Sequence, residues 1–153
     1  MKIFRLEKSI KLPITIEKCW EFFSSPKNLK IITPNYMGFD IIDLEDTEMY
    51  SGQIIKYNVT PLLGISMKWV TEISHVKKNS FFVDEQRFGP YKFWHHKHKF
   101  EVINGGVKVI DILDYSLPLG FVGLFFHPFL VKPKLDEIFR YREKKLIEIF
   151  GNL

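Results

Sequence analysis

Residues 92–117 read KFWHHKHKFEVINGGVKVIDILDYSL, and this stretch decides the fold. Two runs of alternating side chains flank Asn104-Gly105, the pair most typical of a two-residue type I′ hairpin turn, in which both central residues need a positive φ. With the turn at this pair, Ile103 lies opposite Gly106, and each further pair follows by counting outward. The sequence therefore predicts an antiparallel hairpin with a defined register.

The predicted register gives the hairpin two chemically different faces. On one face the pairs are Phe100 with Val109, His98 with Asp111, His96 with Leu113 and Trp94 with Tyr115. On the other face charges of opposite sign meet, since Glu101 lies opposite Lys108 and His95 opposite Asp114. A slip of one residue would destroy both charge pairs. We therefore expect the aromatic face to point to the interior and the charged face to point to water.

The strand before the hairpin, predicted over 80–88, has two possible orientations. A three-residue link around Gly89-Pro90 would place Asp84 and Gln86 on the face that carries the inward histidines. A two-residue link would turn both side chains to the opposite face. The sequence leaves this choice open.

With the longer link, one inward face collects apolar and aromatic side chains around a polar centre. A few convergent polar groups in an apolar hollow suit the orientation of a small ligand. The candidate ligand-binding residues come from four predicted strands and are Trp69, Thr71, Asp84, Gln86, Trp94, His96, His98, Phe100, Asp111, Leu113 and Tyr115.

Residue periodicity predicts the remaining elements of the chain. Strands are predicted over 3–12, 37–44, 53–60, 66–76, 80–88, 92–103 and 107–117. Two short helices follow the first strand: one after Thr15 that carries Ile16, Cys19, Trp20 and Phe23, and a second over 27–31. A long C-terminal helix places Leu135, Ile138, Phe139, Leu146, Ile149 and Phe150 on one face, and Gly151 is its expected end.

These elements predict one α+β domain over residues 1–153. The long amphipathic helix must bury its apolar face, and only the sheet is large enough to cover it. An antiparallel sheet of about seven strands is long enough to curl around such a helix, and curvature leaves space between the two. Packed side chains or a ligand must occupy that space.

Composition and charge narrow the possible partners. The chain has 46% hydrophobic and 16% aromatic residues, a share that suits both a core and the lining of an apolar site. Its net charge is +4, but basic and acidic residues are mixed, and Arg140–Lys145 is predicted to be a solvated helix face, so no nucleic-acid partner is expected. The single cysteine, Cys19, is predicted to be a small buried hydrophobe. The absence of a signal-peptide pattern and of a long apolar run predicts a cytoplasmic protein without stable membrane insertion.

The order of the elements resembles the helix-grip fold of the SRPBCC, or START-like, superfamily, which includes pollen-allergen-like proteins and polyketide cyclases. The motifs that carry the resemblance are Asp84-Glu85-Gln86, Gly89-Pro90-Tyr91, Trp94-x-His96-x-His98-x-Phe100, Gly105-Gly106, Asp111, Tyr115 and Leu117-Pro118-x-Gly120. The likeness covers essentially the whole chain and is to a bacterial branch described only as ligand-binding. It implies a cavity for a hydrophobic ligand and no defined reaction.

Three hypotheses for function remain at this point. The first is binding of a small hydrophobic or amphipathic molecule, such as a lipid, polyketide-like or isoprenoid-like compound. The second is a cyclase, dehydratase or hydrolase that uses His98 and Asp111 as an acid/base pair, with His96 and Asp84 as further catalytic candidates. The same histidines with Asp84 or Asp111 are a usable metal-ligand set. Because a His-x-His strand arises easily by chance, we predict no metal site and no cofactor, and a structural polar network is the simplest role for these residues.

The third hypothesis rests on two apolar loops, 61–65 and 117–129. Loops exposed to water are usually polar, so an apolar loop must be buried or must serve a purpose. These loops are candidates for a gate of the cavity, a lip that touches a membrane, plain packing onto the sheet, or the contact surface of a protein-interaction module. The oligomeric state is not encoded in any recognisable pattern.

Overall fold

The structure, a computed structural model, describes residues 1–43, 48–60 and 64–153. The strands are β1 (Phe4–Leu12), β2 (Asp40–Asp43), β3 (Gln53–Val59), β4 (Met67–Lys77), β5 (Phe81–Phe88), β6 (Phe93–Ile103) and β7 (Gly106–Ser116). The helices are α1 (Ile16–Phe23), α2 (Pro26–Ile31), α3 (Gly120–Phe126) and α4 (Lys132–Phe150), with a 3-10 turn at Asn35–Met37 and a π-helical turn at His127–Val131.

The seven strands form one antiparallel sheet in the order β1-β7-β6-β5-β4-β3-β2. Irregular register between β4 and β5, at Val70/Thr71 and again at Ile73/His75, adds local bends to the sheet. Helix α4 lies across its concave face and buries Leu135 and Leu146 there. This arrangement confirms the predicted α+β class and the helix-grip architecture.

The central hairpin has the predicted register, with pairs running from Phe93 opposite Ser116 to Ile103 opposite Gly106. The predicted type I′ turn is wrong, because only Gly105 of the two turn residues has a positive φ, at 83°. A positive φ at the second position alone is typical of a type II turn, which also needs glycine there. Gly106 is required for another reason: a Cβ at this residue would lie 2.0 Å from the carbonyl oxygen of Leu12.

Strand β5 takes the first of the two orientations that the sequence left open. Asp84 lies opposite His96 and Phe82 lies opposite His98, so the link between β5 and β6 is the longer one. The carboxyl group of Asp84 therefore points to the same interior as the two histidines.

The two short helices between β1 and β2 form as predicted, and both contribute to the wall of the interior. Thr15 caps α1, since its hydroxyl oxygen accepts a hydrogen bond from the backbone nitrogen of Lys18 at 3.3 Å. Helix α1 buries Cys19, and the ring of Trp20 meets the rings of Phe82 and Phe100 edge-on. The prediction that Cys19 is a buried hydrophobe is confirmed.

Helix α4 corrects two details of the sequence analysis. Its buried face is Leu135, Phe139, Arg142 and Leu146, while Ile149, predicted on that face, is exposed. Arg142, predicted within a solvated run, is only 8% exposed. The reason is that the spacing 135, 139, 142, 146 follows the helix period, and the period places the side chain inside regardless of its charge.

Candidate functional site

A cavity of about 150 Å³ lies between the sheet and the helices. Its walls come from β3, β4, β5 and β6 on one side and from α1, α2 and α4 on the other. Most of the wall is apolar, with residues such as Leu29, Ile32, Ile55 and Phe139. One end is polar, where Asp84, His96 and His98 reach the cavity from β5 and β6.

The structure brings six of the eleven predicted ligand-binding residues to the cavity wall: Trp69, Thr71, Asp84, Trp94, His96 and His98. The wall does not include the other five, which are Gln86, Phe100, Asp111, Leu113 and Tyr115. Phe100 packs among the rings of α1, and Leu113 and Tyr115 pack with Leu135 in a second core cluster. Asp111 lies behind the histidines.

The side chain of Gln86 forms hydrogen bonds with the link between β5 and β6 and does not line the cavity. Its amide nitrogen donates to the carbonyl oxygen of Tyr91 at 2.6 Å, and its amide oxygen accepts from the Tyr91 nitrogen at 3.2 Å. Tyr91, which sequence analysis did not select, is thereby held against the cavity, where its ring contacts Trp69 and Trp94.

Helix α4 contributes a charged residue to the cavity wall that the sequence analysis assigned to water. Arg142 lines the cavity, and its Nη1 atom lies 3.6 Å from Oδ1 of Asp111. The signal that could have found it is its position on the apolar stripe of the helix, where a charged residue is unusual.

Two aspartates and two histidines form a closed ring at the polar end of the cavity, which we call the His-Asp ring (Asp84, His96, His98 and Asp111). Oδ2 of Asp84 lies 2.7 Å from Nε2 of His98 and 3.5 Å from Nδ1 of His96. Oδ1 of Asp111 lies 2.9 Å from Nε2 of His96 and 2.9 Å from Nδ1 of His98. Each imidazole nitrogen therefore faces a carboxylate oxygen, although Nδ1 of His98 lacks the alignment of a true hydrogen bond.

Burial and hydrogen bonding oppose each other in setting the pKa values of the His-Asp ring. Burial alone would raise the pKa of Asp111, but its contacts with His96 and His98 outweigh burial and hold that pKa well below the usual value. The pKa of Asp84 is lowered for the same reason, chiefly by His98. Burial would lower the pKa of His98, but the two aspartates raise it. Burial and the nearby His98 lower the pKa of His96.

These directions favour ionised carboxylates on both aspartates and a neutral His96 near neutral pH, and the raised pKa of His98 shifts that residue toward its protonated form. Arg142 adds a permanent positive charge 3.6 Å from Asp111, which offsets part of the negative charge of the two carboxylates. With both of its nitrogens facing carboxylates, His98 has none free to exchange a proton with a substrate, which weighs against the predicted His98–Asp111 acid/base pair.

A second unusual region lies at the end of the sheet where β7 leads into α3. Residues 119–129, here called the apolar segment, form α3 and the start of the π-helical turn, where the sequence predicted a loop. Leu119, Phe121 and Phe129 are 76%, 82% and 73% exposed. Of the other predicted apolar loop, 61–65, residues 61–63 lie outside the described part of the chain, and Ile65 is exposed.

The base of the apolar segment is fastened to the sheet. The Tyr115 hydroxyl of β7 lies 2.8 Å from Nε2 of His127, and the ring of Phe4 stacks on His127 with centroids 3.6 Å apart. Among the described helices, none is both long and apolar enough to cross a bilayer.

No protein-family model matches the chain, and no curated protein matches it. Solved structures, however, share its fold over nearly its whole length. Protein CV1439 from Chromobacterium violaceum has a TM-score of 0.71 at 12% identity, with 100% of each chain covered. Protein Ms6760 from Mycobacterium smegmatis has a TM-score of 0.68 at 12% identity, covering 97% of this chain and 96% of that one.

A third similar structure is Ara h 8.0201, whose fold is the Bet v 1-like form of SRPBCC. It has a TM-score of 0.59 at 16% identity and covers 96% of this chain and 99% of its own. At these identities the likeness establishes the helix-grip fold and leaves the choice of function to the site itself.

Proposed function

We propose that this protein binds a small hydrophobic or amphipathic molecule in the cavity between the sheet and α4. The observation that carries the proposal is the contrast within the cavity, where a mostly apolar wall ends in one polar cluster. Such a lining favours a ligand with an apolar body and one polar group, because burial of the body drives binding and the polar end sets orientation.

The size of the cavity narrows the class of ligand. An engineered apolar cavity of about 150 Å³ in another protein takes up benzene. A cavity of about 150 Å³ here suits a single-ring or short branched molecule, such as a phenol or a short isoprenoid alcohol. A long lipid chain would require the helices to move away from the sheet.

The three tryptophans offer a direct test with 4-ethylphenol as the probe. Trp69 and Trp94 line the cavity, whereas Trp20 packs in the core beside it. We expect titration to shift the indole N–H signals of Trp69 and Trp94 in a nitrogen-15 correlation spectrum and to leave that of Trp20 nearly unchanged. Equal shifts of all three signals, or no shifts, would contradict the proposal.

Two variants of β6 form a matched pair for the same titration. Trp94→Ala removes a wall of the cavity, and Phe93→Ala removes the neighbouring ring on the opposite face of the strand. We expect Trp94→Ala to weaken binding about tenfold, which corresponds to about 1.4 kcal/mol, and Phe93→Ala to leave it unchanged. Native mass spectrometry of the purified protein, followed by organic extraction, would then identify any resident molecule.

The apolar segment favours a second candidate function, which is docking on an anionic lipid surface. Residues 115–135 include no acidic residue. Burial and the charges of Lys2 and Lys132 lower the pKa of His127, so two lysines lie near the base of the segment, one of them, Lys132, paired with Asp136. Exposed phenylalanines with basic residues near their base match the chemistry of an interfacial membrane anchor.

Vesicle sedimentation tests the second candidate. We expect the protein to sediment with vesicles containing phosphatidylglycerol and much less with pure phosphatidylcholine, because the lysines need anionic lipid. Replacing Phe121, Phe125 and Phe129 together by serine should abolish sedimentation. If the wild type fails to sediment and instead elutes as a dimer that the triple variant converts to a monomer, the segment is a contact between two copies and the lipid assignment is wrong.

A further inference from the structure

The polar end of the cavity presents three metal-ligand side chains with their donor atoms together. One donor atom from each of Asp84, His96 and His98 lies within 4.8 Å of the other two. We propose that these residues bind one divalent transition-metal ion of the zinc type, with an open coordination position toward the cavity. Metal binding at these three residues does not require an organic ligand in the cavity.

The spacing of the donors suits a small tetrahedral ion. Zinc binds imidazole nitrogen and carboxylate oxygen at about 2.0–2.2 Å, so neighbouring donors in a tetrahedron lie about 3.4 Å apart. Oδ2 of Asp84 is 3.5 Å from Nδ1 of His96 and 2.7 Å from Nε2 of His98. Side-chain movements of well under 1 Å would lengthen the distance between Asp84 and His98 to the tetrahedral value of about 3.4 Å.

The sheet holds these donors without help from a loop. His96 and His98 are two residues apart on β6, so both point to the same face, and Asp84 lies opposite His96 on β5. The rings are further confined by packing, since Phe82 stacks on His98 and Phe139 meets His96 edge-on. Sites on paired strands keep their geometry better than sites on loops.

Asp111 supplies the feature that distinguishes this cluster from a chance His-x-His pattern. Its Oδ1 atom lies 2.9 Å from Nε2 of His96 and 2.9 Å from Nδ1 of His98. These are the two ring nitrogens that the metal does not use. A carboxylate behind a ligating histidine fixes the tautomer and turns the free lone pair toward the ion, and metal sites commonly contain this arrangement.

The sequence alone predicts no metal site because a His-x-His strand arises easily by chance, and strand pairing places Asp111 opposite His98 only. In the folded chain Asp111 serves both rings, and Arg142 lies 3.6 Å from the same oxygen. Two nitrogens and one oxygen form a ligand set suited to zinc, cobalt or iron(II). The three ligands all line the cavity, so water or an oxygen atom of a cavity ligand takes the remaining position.

A metal-free hydrogen bond between His98 and Asp84 would also explain their 2.7 Å contact. The test must therefore distinguish metal binding from this hydrogen bond. Protein dialysed against a chelator is titrated with Co²⁺, whose visible absorption reports a tetrahedral nitrogen and oxygen site. We expect one equivalent to bind. Asp84→Asn and His98→Asn should lose this signal, and Asp111→Asn should weaken the affinity about 10–100-fold.

His95→Asn is the matched control, because His95 lies on the same strand but on the opposite face, beside Asp114. This variant should bind Co²⁺ like the wild type. Absence of stoichiometric binding, survival of binding in Asp84→Asn, or its loss in His95→Asn would overturn the site. If the Asp84 variant does not fold, X-ray absorption of the zinc-loaded wild type decides, since two imidazoles and one carboxylate are expected in the first shell. The 4-ethylphenol titration uses no metal, so the two proposals fail separately.

Discussion

The His-Asp ring and the apolar segment differ in opposite ways from the usual distribution of side chains. The ring gathers four ionisable groups, of which His96, His98 and Asp111 are buried and Asp84 is partly buried, whereas the segment exposes several phenylalanines. Buried polar groups and exposed apolar patches are the informative exceptions in a folded protein. The difference is that the polar groups of the ring face one another, whereas the described residues leave most of the surface of Phe121 and Phe129 uncovered. The first exception therefore concerns stability and an internal site, and the second concerns an external surface.

Of the substitutions that compare the two regions, removal of a carboxylate from the His-Asp ring should reduce stability most. Asp111→Ala leaves the buried Arg142 charge and the ring nitrogens of His96 and His98 without their shared carboxylate partner. We expect the free energy of unfolding in urea to fall by about 3–5 kcal/mol. Asp114→Ala on the outer face of the same strand removes the exposed Arg5 ion pair and should cost less than about 1 kcal/mol. Equal losses of unfolding free energy in the two variants would mean that the buried contacts of Asp111 stabilise the protein no more than an exposed ion pair does.

The contact that fastens the apolar segment to β7 should have an intermediate effect on stability. Tyr115→Phe removes the hydroxyl that lies 2.8 Å from Nε2 of His127 and keeps the ring in the core. We expect a loss of about 0.5–1.5 kcal/mol in the free energy of unfolding, the usual contribution of one hydrogen bond. Amide hydrogen exchange should also become faster in the apolar segment than in β6. Unchanged exchange in the segment would show that His127 does not anchor it.

Substitutions within the apolar segment should scarcely change stability. Phe121→Ser removes a ring that is 82% exposed and buries little surface in the isolated protein. We expect each such substitution to change the free energy of unfolding by no more than about 0.5 kcal/mol. Phe82→Ser, in the shell around His98, is the contrasting variant and should cost several times as much. A large loss from Phe121→Ser would mean that the segment belongs to the core.

The smallest expected effect is a pH dependence at the base of the segment. Burial, together with the charges of Lys2 and Lys132, lowers the pKa of His127 below its unfolded value of about 6.5. The unfolded chain therefore takes up a proton first as the pH falls through this value, and the folded state loses stability there. Urea titrations at pH 7.5 and 5.5 should show a smaller decrease for His127→Gln than for the wild type. Identical decreases would exclude His127 as the source.

The hairpin was predictable because local and cross-strand signals agreed. Asn104-Gly105 located the turn, and the pairs Glu101–Lys108 and His95–Asp114 fixed the register that the structure has. The type of turn was not predictable, because both type I′ and type II accept glycine at the second position. The orientation of Asp84 depended on whether the link between β5 and β6 has two or three residues, and the sequence left that choice open.

The candidate site was less predictable than the fold, since it depends on contacts between distant elements. Nothing in the β5 sequence reveals that Gln86 clamps Tyr91 and leaves the cavity. Arg142 was assigned to water because its neighbours are charged, although its position on the helix stripe decided its burial. The volume of the cavity depends on how every aromatic ring packs, and no local pattern encodes that.

Strict alternation along β6 also constrains how this gene can change. Trp94, His96 and His98 face inward, while His95, Lys97 and Lys99 face outward. Deleting a single codon between His96 and Phe100 would bring lysines to the inside of one half of the strand and undo the facing carboxylate contacts at once. Insertions and deletions in this strand should therefore be rarer among descendants of the gene than substitutions at its outward positions.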